Sequence, residues 1–151
     1  MRKELDELLC KRYPKILVQR HLPKEQTCMC WGFAVGDGWF HLIDLLCRYI
    51  QQHVDRLKLP QVEAVQVKEK FGELRFYINA GDDEIFKAID YTTYLSVHTC
   101  EACGSMDDVG QTSGWVSTLC RNCGETETGK SKTWKSWDEI DKEIEKSVLD
   151  D

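Results

Sequence analysis

Cys100-Glu101-Ala102-Cys103-Gly104 and Cys120-Arg121-Asn122-Cys123-Gly124 are two Cys-x-x-Cys pairs separated by 16 residues. Each pair can form a tight turn that points both sulfurs at one place, and two such turns from facing strands complete the tetrahedron that Zn²⁺ prefers. A glycine after each pair suits such a turn, because glycine adopts positive φ without steric cost. The spacing therefore predicts a zinc ribbon over residues 99–127, with one structural Zn²⁺ per chain held by Cys100, Cys103, Cys120 and Cys123.

Two other uses of these cysteines agree less well with the sequence. Disulfides need an oxidising compartment, whereas the N-terminus does not read as a signal peptide and we expect a cytoplasmic protein. A redox-active protein usually has a single Cys-x-x-Cys pair at the start of a helix, whereas this sequence has two pairs at the spacing of a zinc ribbon. Because four cysteine ligands close the coordination sphere, we expect the metal to stabilise the fold and not to catalyse a reaction.

The composition indicates one folded domain with an uneven distribution of charge. The 151 residues are 42% hydrophobic and include five Trp, five Tyr and five Phe, which is enough for a core. A formal net charge of −6 disfavours broad contact with phosphate backbones. Seven Lys or Arg lie within residues 1–24, and seven acidic residues lie within residues 138–151. No apolar run reaches the length of a membrane span, so we expect no membrane partner.

The first 35 residues predict one short helix and a second cysteine motif. An amphipathic pattern over residues 3–12 predicts the helix, and residues 15–18 read as a strand or an extended arm. Cys28 and Cys30 raise the hypothesis of a second metal site, because alternate residues of a strand face the same side, with His21 or His41 as further ligands. No second pair has matching spacing, which favours buried or free thiols.

The strongest helical pattern follows Gly36, with Asp37 as the predicted N-cap and an end near Lys58. We expect this helix to be the central element of the core, with Cys47 near the edge of its apolar face. Four polar residues are predicted on or near the opposite side, namely His41, Asp44, His53 and Asp55. Apolar residues recur every three or four positions, at Trp39, Leu42, Ile43, Leu46, Tyr49, Ile50, Val54 and Leu57.

The next segment changes to a period of two and predicts a β-hairpin with Gly72 in its turn. Its apolar rows are Val65 and Val67 on one strand, and Leu74, Phe76 and Ile78 on the other. A second helix is predicted over about residues 83–97, opened by acidic residues that suit a helix N-terminus. Together these patterns predict an α+β core over residues 1–98, in which both helices pack on a small antiparallel sheet. The apolar residues of the second helix are Ile85, Phe86, Ile89, Tyr94 and Leu95.

The C-terminal part predicts an acidic helix joined to the ribbon. Trp115 is the predicted anchor of the ribbon against the core. Ser136-Trp137-Asp138-Glu139 is a capping box that predicts a helix over residues 137–149, within a segment of residues 136–151. The apolar stripe of this helix is narrow, so it is expected to dock weakly on its own protein or to pair with a partner, including a second copy of the chain. The stripe consists of Ile140, Ile144 and Val148.

Three segments resemble small, uncharacterised zinc-ribbon proteins of bacteriophage and prophage genomes. They are Gly38-Trp39-Phe40-His41-Leu42-Ile43-Asp44-Leu45-Leu46-Cys47, Val67-Lys68-Glu69-Lys70-Phe71-Gly72-Glu73-Leu74-Arg75-Phe76-Tyr77 and Thr99-Cys100-Glu101-Ala102-Cys103-Gly104. The resemblance covers roughly residues 36–123 and implies a phage accessory protein, without a mechanism. In such relatives the last metal ligand can be His, whereas Cys123 makes a four-thiolate site here.

Three classes of function are compatible with the sequence. The first is a non-catalytic interaction protein that binds a host protein and inhibits or redirects it. The second is a nucleic-acid-binding ribbon, whose surface interleaves basic and aromatic residues. The third is an enzyme. No catalytic motif is present, and a site built from His41, Asp44 and Cys47 on one helix would rest on their spacing alone. The candidate nucleic-acid or partner surface consists of Lys68, Lys70, Phe71, Arg75, Phe76, Tyr77 and Arg121, extended by Lys130, Lys132, Trp134 and Lys135.

Overall fold

The computed structural model describes residues 1–127 and 133–149. Over this part of the chain it contains five α-helices, two small antiparallel sheets and three short 3-10 helices, which confirms the predicted mixture of helix and strand. The 3-10 helices are Val18–His21, Cys28–Trp31 and Asp37–Trp39. The longer elements are α1 (Lys3–Arg12), α2 (Phe40–Leu57), β1 (Ala64–Lys70), β2 (Glu73–Ile78), α3 (Asp83–Ser96), β3 (Val109–Thr112), β4 (Thr118–Cys120), α4 (Arg121–Glu127), β5 (Trp134–Ser136) and α5 (Trp137–Leu149).

Helix α2 is the centre of the main hydrophobic core. Its three-and-four spacing buries Ile43, Leu46, Ile50 and Val54 on one side. Helix α3 contacts α2, and the inward residues of the hairpin belong to the same hydrophobic cluster. The 3-10 helix before α2 contributes Trp39, which is completely buried. Helix α1 and the segment that follows it close the core from another side.

Strands β1 and β2 form a two-stranded sheet whose two edges are both covered. Val67 pairs with Phe76 on the inward face. On the β1 edge, the Ala34 amide donates to the Val67 carbonyl at 3.0 Å. On the β2 edge, the Leu74 amide donates to Ser96 Oγ at 2.9 Å. A two-stranded sheet is marginal alone, so these edge contacts and the helices behind it account for its stability here.

A bulge changes which residues of β1 face the core. The pairing register shifts between Ala64 and Gln66, which inserts one extra residue into the strand. Ala64 and Val67 are therefore buried, while Val65 is only half-buried. The predicted inward row of Val65 and Val67 was wrong at its first position for this reason.

Two predictions of local structure near the N-terminus were wrong. Residues 15–17 form a turn that leads into the 3-10 helix beginning at Val18, and not a strand or an extended arm. Ile16 and Leu17 are both buried there, and consecutive residues of a strand could not bury both side chains on one face. Asp37 does not cap α2, which begins at Phe40; its carboxylate instead accepts a hydrogen bond of 2.7 Å from the Arg2 amide.

Several predicted positions on α2 and α3 differ from the structure. Cys47 is completely buried, and not near the edge of the apolar face. His53 is also buried, where its Nε2 lies 2.7 Å from the carboxylate of Asp82, the residue that caps α3. The sequence pattern misplaced Cys47 and His53 because the core covers more of the circumference of α2 than the apolar stripe of this helix suggests. Conversely, four residues expected in the core are exposed, namely Tyr49, Leu57, Phe86 and Tyr94.

Asp44 is a buried carboxylate that ties α1 to α2, and not a residue of the polar face. It accepts hydrogen bonds from Arg12 Nη1 at 2.8 Å and from the Tyr13 hydroxyl at 2.9 Å. Arg48 Nη2 contributes a third contact at 3.2 Å. Because all these partners are donors, the charged form of Asp44 is well satisfied.

We expect the stabilisation by Asp44 to disappear in acid. Burial alone would raise the pKa of this carboxyl, but hydrogen bonds from Arg12 and Tyr13 hold it below its ordinary value of 3.8. A carboxyl with a lowered folded-state pKa stabilises the fold above its unfolded pKa, and that contribution is lost as pH falls through the folded pKa. Asp44→Asn should cost about 1–3 kcal/mol in urea unfolding near neutral pH. The difference from wild type should vanish well below pH 3.8, and a constant difference would contradict the assignment.

Helix α5 begins as predicted and is otherwise mostly exposed. The Ser136 amide donates to Glu139 Oε2 at 2.8 Å and the Glu139 amide donates to Ser136 Oγ at 3.2 Å, which is the predicted capping box. Ile144 and Val148 are exposed along the helix. Among the described residues, no helix combines the length and the apolar content needed to cross a membrane.

Candidate metal centre

The four predicted cysteines form one compact cluster. Their Sγ atoms all lie within 4.8 Å of one another, and Cys103 Sγ and Cys120 Sγ are 3.7 Å apart. A tetrahedron with Zn–S bonds of about 2.3 Å has S–S edges of about 3.8 Å, whereas a disulfide bond is about 2.05 Å long. The spacing of the sulfurs therefore fits ligands of one ion and not a pair of disulfides.

The two Cys-x-x-Cys pairs lie in different local structures. Cys100 and Cys103 lie in a turn after α3, and Gly104 follows them with φ +80°, as the sequence predicted. Cys120 is the last residue of β4 and Cys123 lies in the first turn of α4. The second pair thus joins a strand to a helix, so the prediction of two equivalent turns from facing strands was wrong for this half.

Gly124 is required for packing and not for a turn. It lies inside α4, where a Cβ atom would approach Trp134 Cδ1 to 2.3 Å. Trp134 Nε1 donates to the Leu119 carbonyl at 2.9 Å, which fixes the indole against the cluster. The prediction of a positive φ at Gly124 was therefore wrong. Glycine is needed at this position because α4 and β5 approach each other closely.

Backbone amides stabilise a thiolate at Cys100. Burial would raise the pKa of this thiol, but amide groups of Cys120, Cys103 and Ala102 aimed at the sulfur bring it below its ordinary value. At Cys123, burial and the neighbouring thiols raise the pKa. Several thiolates so close together repel one another, so full ionisation of the cluster needs a cation among the sulfurs. The four sulfur donors are soft ligands, a set that suits Zn²⁺.

The turn that carries Cys100 docks on the segment before α2. The Gly38 amide donates to the Glu101 carbonyl at 2.7 Å, and the Gly36 amide donates to Glu101 Oε1 at 2.8 Å. A Cβ atom on Gly38 would lie 2.1 Å from the Cys100 carbonyl oxygen, so only glycine allows this approach. The pattern interpreted as a helix cap is therefore the docking surface of the cysteine turn.

Residues 99–127, here called the cysteine lobe, are anchored by Trp39 and Trp137, and not by Trp115. Trp39 Nε1 donates to the Thr99 carbonyl at 2.8 Å, one residue before the first cysteine. Trp137 Nε1 donates to the Val97 carbonyl at 2.7 Å. Trp115 is 71% exposed at the tip of the loop between β3 and β4, so its prediction as the anchor was wrong. An apolar side chain in a loop carries no periodicity that would reveal its burial.

The hypothesis of a second metal site gains no support. Over residues 1–127 and 133–149, the four-cysteine cluster is the one group of three or more Cys, His, Asp or Glu side chains close enough to hold a metal ion. Cys28 and Cys30 lie in a 3-10 helix, and Cys28 is exposed. The argument from strand alternation therefore does not apply to them.

The candidate basic and aromatic surface divides into two parts. Lys68, Lys70, Phe71, Arg75 and Tyr77 lie together on the β1–β2 hairpin, whereas Phe76 faces the core. Arg121 lies on the cysteine lobe. It pairs with Asp108, and its Cζ atom lies 4.8 Å from the centre of the Trp134 ring. Lys135 pairs with Glu143 at 2.6 Å, and Lys130 and Lys132 lie outside the described residues. The candidate residues on the β1–β2 hairpin therefore form one continuous surface, which does not include Arg121 or Lys135.

The three residues considered for catalysis do not meet at one surface. His41 is exposed, whereas Cys47 is completely buried, and burial raises the pKa of its thiol. Asp44 is engaged by Arg12, Tyr13 and Arg48. A thiol that is both buried and hard to ionise is a poor nucleophile.

Comparison of the chain with protein-family models, with curated proteins and with solved structures finds no match. The resemblance to bacteriophage zinc-ribbon proteins accordingly stays a prediction.

Proposed function

We propose that the chain is a non-catalytic interaction protein whose four-cysteine cluster holds one structural Zn²⁺. Four thiolates would complete the coordination of the ion, so its contribution is to folding. Support comes from the separation of 3.7 Å between Cys103 Sγ and Cys120 Sγ and from the amides aimed at Cys100. On the resemblance to bacteriophage proteins, the partner would be a host protein that is inhibited or redirected in the host cytoplasm.

The observation that carries the proposal is an exposed apolar groove between α2 and α3, here called the α2–α3 groove. It encloses about 390 Å³. Leu45 is 59% exposed and Tyr91 is 63% exposed along its two sides. Tyr49 also lines it, and its inner wall consists of Leu42, Leu46, Ala88, Thr92 and Leu95.

The α2–α3 groove has the chemistry of a protein-binding surface. Tyrosine combines a large apolar ring with a polar hydroxyl, and it is enriched where proteins contact one another. A groove between two helices accepts the apolar face of an amphipathic helix, whose anchors recur every three or four residues. The charges at the groove, Glu84 and Lys87, pair with each other at 3.0 Å, so apolar contact dominates. The proposed occupant is therefore an amphipathic helix of a partner protein.

Substitution in the groove tests this proposal. Leu45→Glu and Tyr91→Glu each place a charge on the apolar surface and should abolish capture of the partner from a bacterial lysate. Gln52→Glu is the matched control, because Gln52 is exposed on the same helix outside the groove. The purified partner should then bind wild type and Gln52→Glu with equal affinity, and bind the groove variants at least tenfold more weakly.

Two outcomes would overturn the assignment of the groove to a partner protein. One is equal binding by the groove variants and the control. The other is loss of a homodimer in the groove variants, measured by light scattering. In that case the occupant would be a second copy, most simply through the exposed stripe of Ile144 and Val148 on α5.

A further inference from the structure

The tip of the β1–β2 hairpin holds an aromatic residue in an unfavourable backbone conformation. Phe71 and Gly72 form a two-residue loop between the paired Lys70 and Glu73, with φ of 56° and 77°. Positive φ at both positions defines a type I′ turn, whose first position favours Asn, Asp or Gly. A bulky side chain rarely adopts this conformation. The Phe71 ring is 71% exposed, so core packing does not explain its presence.

A second exposed aromatic ring lies across a small cavity from Phe71. Trp115 comes from the loop between β3 and β4, and the two loops line a cavity of about 250 Å³. Thr118 Oγ1 donates to the Gly72 carbonyl at 2.7 Å in a buried hydrogen bond, which fixes the hairpin tip against the cysteine lobe. Two rings from different hairpins are thus held at one place, both open to solvent.

Two lysines without acidic partners continue this surface along the outward face of the hairpin. Lys70 Nζ lies 5.4 Å from the centre of the Phe71 ring, and Lys68 Nζ lies 5.8 Å from that of Tyr77. Within the described residues, neither ammonium group forms an ion pair. The nearby carboxylates have other partners, since Glu73 pairs with Arg75 at 2.6 Å and Glu69 accepts from the Gly72 amide. The surface is therefore locally cationic in a chain of net charge −6.

We propose that this aromatic and cationic face of the hairpin, together with Trp115, binds single-stranded nucleic acid. Bases stack on the rings of Phe71, Trp115 and Tyr77, and Lys68 and Lys70 contact phosphates. Phe71 and Tyr77 are six positions apart, and six steps of extended chain span about 20 Å. That length holds at most about six nucleotides at the 3.4 Å spacing of stacked bases. Paired bases in a duplex do not offer their faces to the rings, so single strands are selected.

The binding test uses a fluorescein-labelled oligothymidylate, an oligouridylate of the same length and a matched duplex. Both single strands should bind the full chain at about 50 mM salt, and the two arms show whether DNA or RNA is preferred. With two phosphate contacts the affinity should fall about sevenfold between about 50 and 200 mM salt, and Lys70→Gln should flatten that dependence. Duplex binding as tight as single-strand binding, or no single-strand binding by wild type, would overturn the proposal.

Phe71→Asn separates a binding role from a structural one. Asparagine favours the left-handed conformation, so the melting temperature should stay the same or rise, while affinity for the oligothymidylate falls at least about fivefold. Trp115→Ala should weaken binding by a similar factor without loss of stability. Trp31→Ala is the control, because Trp31 is an exposed tryptophan that lines a cavity beside α1 and not the cavity between Phe71 and Trp115. If Phe71→Asn and Trp115→Ala bind like the Trp31→Ala control, the rings do not stack on bases and the site is wrong.

Discussion

Replacing Cys120 by serine should remove zinc from the purified protein and unfold the cysteine lobe. A structural zinc ion contributes about 10–16 kcal/mol of apparent folding free energy in small domains near neutral pH, which is more than the whole stability of most domains. Cys120 ends β4 directly before α4 begins at Arg121, so its loss also removes the ligand at the junction of the two elements that carry the second pair. Metal analysis should find one zinc per wild-type chain and none in the variant, and circular dichroism should show the lost structure.

Cys28→Ser is the matched control for this experiment. Cys28 is exposed and lies outside the cluster, so this variant should keep one zinc per chain and the wild-type melting temperature. A Cys120→Ser protein that retains a full equivalent of tightly bound zinc would show that the four cysteines are not the site. Two zinc ions in the wild-type protein would instead restore the hypothesis that Cys28 and Cys30 bind metal.

The features predicted correctly from the sequence are those that depend on neighbouring residues. The period of α2, the hairpin around Gly72 and the capping box of Ser136 and Glu139 are each specified within a few positions. The four-cysteine cluster belongs to the same class, because two Cys-x-x-Cys pairs at this spacing are typical of one shared metal site. Local chemistry alone was sufficient for these features.

The features that the sequence did not predict depend on contacts between distant segments. Asp37 suggested a helix start, whereas the glycines on either side of it, Gly36 and Gly38, let the turn of Cys100 approach within hydrogen-bonding distance. Asp44 has the spacing of a surface residue, and only the position of Arg12 and Tyr13 at the C-terminal end of α1 makes its burial favourable. Periodicity tells which residues share a face, but not which distant segment covers that face.

The tryptophans illustrate the same limit and lead to a second large expected effect. Trp39 is completely buried and Trp115 is 71% exposed, although the sequence suggested Trp115 as the anchor of the cysteine lobe. Trp39→Ala should destabilise the protein by about 3–5 kcal/mol, because it leaves a large cavity beside α2. Trp115→Ala should change stability by no more than about 0.5 kcal/mol, since it removes an exposed ring. Urea unfolding of both variants measures this difference.

Trp39→Phe isolates the link between the core and the metal centre. Phenylalanine keeps most of the buried ring but lacks the indole N–H, so the Thr99 carbonyl loses its donor at a cost of about 1–3 kcal/mol. Thr99 precedes Cys100, so the loosened segment should also release zinc to a chelator faster than in wild type. The Trp115→Ala protein should release zinc at the wild-type rate. Equal stability and equal zinc release in the Trp39 and Trp115 variants would mean that the hydrogen bond from Trp39 does not hold the cysteine turn in place.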